Sequence, residues 1–234
     1  MIDPKTILDQ FLGTKIPGTE KSVGGAAQKA GNLAKENPVA TGLLAAVLLG
    51  TGTGRALTGS ALRLGGLAAV AGLGYQAWKN YRDGRAPAES EVAPDAEHEI
   101  LPPPIDSGFS PQTSQIDDGF ALALIRVMIG AAKADGHIDE QERARIHDKL
   151  MLSGIDADAV EFLEAELNKP IDIGEVVGAA QSEAQKVELY TAARLAIEPD
   201  SRAERGFLDL LAGRLDLDEG LVEHIEATVS AVKT

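Results

Sequence analysis

The sequence contains no cysteine and few aromatic residues, which make up 4% of its 234 positions. The absence of cysteine excludes disulfides, thiol catalysis and Cys-ligated zinc or iron–sulfur sites. With so few aromatic rings, the core must be built from aliphatic and alanine side chains, a composition that favours packed helices over sandwiches or barrels. We therefore expect an all-α protein.

Basic residues are also scarce, because 22 Lys and Arg stand against 36 Asp and Glu, for a net charge of -14. Residues 1–88 nevertheless contain 10 basic and 5 acidic residues, whereas the remaining 146 residues contain 12 and 31. The first part suits anionic lipid headgroups, and the second repels nucleic acid. We expect no nucleic-acid partner.

Acidic residues are missing altogether from residues 38–78, where Arg55 and Arg63 are the only charged residues. The two longer uncharged runs, 38–54 and 64–78, hold 17 and 15 residues. Each is shorter than the roughly 20 apolar residues of a spanning helix. Length alone therefore does not identify a transmembrane helix.

Two further features of this stretch favour a membrane. Small residues recur four positions apart, which allows close helix packing in lipid. Tyr75, Trp78 and Tyr81 stand among basic residues, as in an interfacial rim. We interpret residues 38–85 as a Gly/Ala-rich membrane-associating segment. The alternative is a soluble segment through which residues 38–78 form a homo-oligomer.

The other boundaries follow from composition. Residues 1–37 are predicted to form a short helix, with Asp3 as N-cap and Pro4 at its first position, and a flexible connector. Residues 86–119 are rich in proline and acid and lack Lys and Arg, which predicts a disordered, extended linker. Residues 120–234 are predicted to form a bundle of seven helices with short connections.

This bundle contains an internal repeat, since residues 131–143 correspond to residues 193–205. The repeat predicts two helix-turn-helix units packed about a pseudo-twofold axis. In the first copy, Asp135, Gly136, Asp139 and Glu142 match positions 5, 6, 9 and 12 of a calcium-binding loop. Acidic residues of the second copy would complete an oxygen shell for Ca, Mg or Mn. The candidate metal ligands are Asp135, Asp139, Glu142, Glu198, Asp200 and Glu204.

Helix capping offers an alternative explanation for the same acidic residues. The pairs Asp139–Glu142 and Ser201–Glu204 both have the spacing of a capping box. Capping explains Glu142 and Glu204 but not Asp135, so both interpretations stay open. The sequence has no phosphate-binding loop, nucleophile elbow or paired metal-binding histidines, and we expect no enzymatic activity.

The motif Ala132–Asp139 with Glu142, followed by Glu204–Ala212 and Leu215–Asp218, resembles the TerB-like domain of tellurite-resistance proteins. Within that family the chain is similar to the YebE-type branch of bacterial inner membrane proteins of unknown function. The resemblance implies an all-helical acidic domain, with a metal-binding cluster, that is attached to the inner membrane and takes part in a stress response. We expect the domain on the cytoplasmic side. The alternative is a soluble structural or interaction module without metal.

Overall fold

In the computed structural model, the described residues are all-helical, with eight helices and no strand. The model describes residues 3–11, 66–87, 102–110, 112, 115–134, 136, 147 and 157–232. The helices are α1 (Pro4–Phe11), α2 (Gly66–Arg82), α3 (Asp118–Ala132), α4 (Ala157–Asn168), α5 (Ile173–Gly178), α6 (Glu183–Ala196), α7 (Arg202–Leu215) and α8 (Glu219–Val232). The predicted all-α class is confirmed.

Side-chain caps fix where several helices begin. The Asp172, Ser182 and Ser201 side chains each accept a backbone N–H three residues on, which satisfies a first-turn donor of α5, α6 and α7. These three starts agree with the sequence prediction. Six of the seven helices predicted after residue 119 are α3 to α8, and the helix predicted from Asp139 lies outside the described residues.

The core is centred on α3 and α6, which pack against each other. Helix α3 is buried on nearly every side, and from Val187 to Ala196 every residue of α6 is buried. Helix α1 packs on α3 through Ile7 and Leu8, as expected for the apolar stripe of that short helix. The N-terminal helix is therefore part of the same core.

Helix α2 also belongs to this core, although its residues were interpreted as part of a membrane-associating segment. It packs against both α6 and α8. Leu67, Val70, Leu73 and Ala77 are at most 2% exposed. The bundle therefore includes a helix that the sequence analysis placed in a different domain.

The aromatic side chains of α2 make contacts within the protein rather than forming a separate rim. The Trp78 indole Nε1 donates a hydrogen bond to Glu183 Oε1 at 3.1 Å. The Phe109 ring packs edge-on against Tyr75 and Trp78, with centroid distances of 5.6 and 5.9 Å. Such contacts explain these residues through packing within the protein.

Part of the predicted linker packs on the bundle as well. Within residues 102–110, Phe109 is 3% and Ser110 is 8% exposed. The prediction of an extended linker between the bundle and the membrane segment is therefore wrong for these residues. The apolar ring of Phe109 is buried against the bundle, and the acidic composition of the segment gave no sign of this. The domain boundaries themselves stay predictions.

Residues 38–65 of the predicted membrane segment lie outside the described residues. Across the part of the chain that the structure describes, no helix has the length and apolar character needed to cross a bilayer.

Candidate functional site

The second acidic copy, residues 198–204, forms the connection between α6 and α7. Glu204 Oε2 accepts the Ser201 backbone N–H at 2.8 Å, and Ser201 Oγ accepts the Glu204 N–H at 3.1 Å. This reciprocal pair is the predicted capping box, and it is confirmed here. One carboxylate oxygen of Glu204 is thus used by the helix itself.

The oxygens of the same connection are also engaged by a cationic side chain. Arg205 Nη1 donates to the carbonyl oxygens of Pro199 and Asp200, at 2.9 and 2.8 Å. The guanidinium thereby satisfies two main-chain acceptors just before α7. Of the three predicted ligands in this copy, Glu198, Asp200 and Glu204, the structure thus shows a helix-capping role for Glu204.

The other three predicted ligands, Asp135, Asp139 and Glu142, lie outside the described residues. Among the residues that are described, no three or more acidic or histidine side chains are arranged to hold a metal ion. The divalent-ion site stays a prediction, and it depends on the first copy of the repeat.

A small charged cleft lies between α3, α4 and α5. Glu166, with a side chain 4% exposed, accepts from Arg126 Nε at 2.7 Å and from Lys169 Nζ at 2.6 Å. Arg126 also pairs with Glu175, so the two carboxylates are balanced by two cations, Arg126 and Lys169. The cleft encloses about 70 Å³, which is small compared with typical ligand pockets. We interpret it as a structural ion-pair network.

The carboxyl group of Glu188, on α6, is a further candidate functional group. Its side chain is completely buried, at 0% exposure. Oε1 accepts the Ser110 backbone N–H at 2.6 Å, whereas Oε2 has no hydrogen-bond partner in the described part of the protein. The Thr191 hydroxyl, one helical turn further on, is likewise buried without a partner. Buried polar atoms without partners are unusual and costly.

Three parts of the chain meet on α6 beside Glu188, at its neighbours Val187 and Thr191. Gly74 of α2 approaches α6 so closely that a Cβ at this position would lie 3.2 Å from Val187 Cγ1 and 3.3 Å from Thr191 Oγ1. The same Cβ would lie 3.4 Å from the Phe109 ring. We call the cluster of Gly74, Phe109, Ser110, Glu188 and Thr191 the Glu188 site.

The electrostatics of the Glu188 site favour a neutral carboxyl group. Burial raises the pKa of Glu188 to about 7, and the single hydrogen bond from the Ser110 N–H offsets this effect only in part. In the neutral form one oxygen can still accept from Ser110, and the other carries the proton. The Glu188 site can thus exchange a proton near neutral pH.

Sequence reasoning missed Glu188, although a weak signal was present. Between Val187 and Ala196 the sequence contains only two charged residues, Glu188 and Arg194. A stretch with so few charges has no polar face, which indicates burial on all sides. A carboxyl group within this stretch is then expected to be buried too.

Taken together, the fold and the site define an all-helical bundle that buries one carboxyl group between α2, α6 and the segment that precedes α3. The family model described as "Protein of unknown function (DUF533)" matches residues 33–229, so the chain belongs to this family.

One curated relative from Yersinia enterocolitica, described as "Uncharacterized protein in ampR 5'region", is 26% identical over 110 residues. The match covers 47% of this chain and 79% of the relative. No solved structure matches the chain.

Proposed function

We propose that the protein is a non-enzymatic, membrane-associated scaffold or sensor of the TerB-like type, with a role in a bacterial stress response. One observation carries the proposal. The apolar, acid-free residues 38–65 lead without interruption into α2, and α2 is packed between α6 and α8. Any membrane attachment through residues 38–65 would therefore bring the acidic bundle to the bilayer surface.

The charge distribution supports the same proposal. The positive balance of residues 1–88 suits an anionic bilayer, whereas the strongly negative remainder is repelled by it. The resemblance to inner membrane proteins favours the cytoplasmic side for the bundle. The proposal includes divalent-ion binding. This part of it depends on Asp135, Asp139 and Glu142.

Vesicle flotation of the purified full chain tests the membrane proposal. We expect the protein to float with vesicles of phosphatidylcholine and phosphatidylglycerol, and a double variant, Leu44→Glu and Leu48→Glu, to stay at the bottom of the gradient. The free energy of membrane insertion rises by about 2–3 kcal/mol for each acidic residue placed at the centre of a membrane helix, so the two substitutions should prevent binding.

The matched control is Leu210→Glu, which adds the same charge at a leucine that is 51% exposed on α7. This variant should float like the unaltered protein. If the full chain stays at the bottom and forms an oligomer that Leu44→Glu and Leu48→Glu dissociate, the protein is instead a soluble interaction module that assembles through residues 38–78.

A further inference from the structure

Two adjacent residues before α3 are held against α2 and α6. The Phe109 ring is 3% exposed and meets the rings of Tyr75 and Trp78 edge-on, at centroid distances of 5.6 and 5.9 Å. The backbone N–H of Ser110, the next residue, donates to Glu188 Oε1 at 2.6 Å. An aromatic ring and a hydrogen-bond donor are thus bound side by side. We call the space that they fill the aromatic site.

The part of the aromatic site that holds the ring is shaped by the backbone of α2. A Cβ built at Gly74 would lie 3.4 Å from Phe109 Cε1, so the ring lies against the helix where the helix has no side chain. Tyr75 and Trp78 supply aromatic neighbours on the same helix. Edge-on contacts between rings add to the free energy of burial, so these surroundings favour an aromatic occupant over an aliphatic one.

The part of the aromatic site that holds the donor is only half used. Glu188 is completely buried, and its Oε2 has no hydrogen-bond partner in the described part of the protein. A main-chain N–H is a single uncharged donor, whereas an ammonium group has three donors and a positive charge. An ammonium group can therefore serve both oxygens, and it compensates the charge of the buried carboxylate.

The covalent distance between ring and donor defines the ligand further. From the Phe109 ring the chain passes through Cβ, Cα and the carbonyl carbon before it reaches the Ser110 nitrogen. Three carbon atoms therefore separate the ring from the nitrogen. An aromatic ring joined to an ammonium group by three carbons, as in 3-phenylpropylammonium, reproduces this separation.

We propose that the aromatic site binds an aryl-alkyl ammonium ligand, and that Phe109 and Ser110 occupy the site until such a ligand displaces them. Glu188 binds the ammonium group, and Tyr75 and Trp78 contact the ring. Displacement releases residues 102–110 from the bundle. The proposal does not rest on membrane association.

Binding to the full chain with the substitution Phe109→Ala tests the proposal, because this change removes the ring and keeps Glu188. At pH 8 the carboxyl group is mostly ionised, since burial raises its pKa only to about 7. We expect 3-phenylpropylammonium, at ten times its Kd, to raise the melting temperature by about 3–6 °C. The uncharged 3-phenylpropanol and the ringless propylammonium should each raise it by less than half as much.

The matched control is the double variant Phe109→Ala and Glu188→Gln, which keeps the shape of the site and removes its charge. The advantage of the ammonium ligand over the alcohol should vanish in this variant. Equal effects of the three probes on Phe109→Ala, or an advantage that persists with Glu188→Gln, would overturn the proposal. If the alanine variant does not fold, Phe109→Leu, a smaller change, takes its place in both experiments.

Hydrogen exchange of the unaltered chain tests displacement separately. Millimolar 3-phenylpropylammonium should speed the exchange of the amides between residues 105 and 110 at least threefold, whereas propylammonium should leave it unchanged. Exchange in α7, which contributes no residue to the aromatic site, should not respond to either probe. Unchanged exchange of residues 105–110 would contradict the displacement of Phe109 and Ser110.

Discussion

Replacing Gly74 by leucine is expected to lower the free energy of unfolding by about 3 kcal/mol, because extra atoms at a well-packed position force neighbouring groups apart. Even a Cβ at Gly74 would meet Val187, Thr191 and Phe109 at 3.2 to 3.4 Å. A leucine needs far more room than this, on the side of α2 that contacts α6. We expect α2 to separate from α6 at lower urea concentration than the remainder of the bundle unfolds.

The measurement is urea unfolding with two probes. Trp78 fluorescence reports on α2, and circular dichroism reports on all helices together. The matched control is Gly206→Leu on α7, where an added Cβ would have nothing within 4 Å. That change should leave the stability equal or raise it by up to about 1 kcal/mol, because leucine is a better helix former than glycine. Equal stability of the Gly74 and Gly206 variants would show that α2 does not pack as described.

Replacing Glu188 by glutamine is expected to stabilise the protein above neutral pH and to have little effect at pH 4.5. The pKa of Glu188 is raised from 4.5 to about 7 in the folded protein. A raised folded-state pKa contributes stability that is present below the unfolded pKa and is lost as pH rises through the folded pKa. The wild type should therefore lose roughly 3 kcal/mol between pH 4.5 and pH 7.5 on account of this group.

Glutamine has nearly the shape of the neutral carboxyl group, and it does not ionise. Its oxygen can accept the Ser110 N–H, as Glu188 Oε1 does. The difference in unfolding free energy between variant and wild type should grow with pH and then level off above pH 7.5. Chemical denaturation across this pH range gives the difference directly.

The matched control for this experiment is Glu223→Gln, which removes an exposed carboxylate from α8. Its difference from the wild type should not grow between pH 4.5 and pH 7.5. Parallel pH profiles for the wild type and Glu188→Gln would contradict the account of a buried, proton-exchanging carboxyl group.

Much of the local structure could be predicted from the sequence, because it depends on short-range chemistry. Asp172, Ser182 and Ser201 cap their helices through hydrogen bonds that span only three residues. The capping box of Ser201 and Glu204 has a fixed spacing, and so it was visible in the sequence. Helical periodicity likewise identified α3 and α6 to α8.

The packing of α2 could not be predicted in the same way. Its glycines, alanines and aromatic rings have the composition of a membrane segment, and that composition also suits a helix in close contact with α6 and α8. Whether such a helix enters a membrane or packs in a bundle depends on contacts with residues more than 100 positions away, such as that of Trp78 with Glu183. The Glu188 site was hidden for the same reason, since the hydrogen-bond partner of its carboxyl group, the Ser110 N–H, lies 78 positions away.

The central claim is that α2, which continues the apolar residues 38–65, is an integral part of the acidic bundle. Hydrogen exchange of the full chain, followed by mass spectrometry of its peptides, tests this claim most directly. We predict that the amides of α2 exchange as slowly as those of α6 and α8, because all three contribute buried residues to one core. Fast exchange in α2 beside slow exchange in α6 and α8 would contradict it.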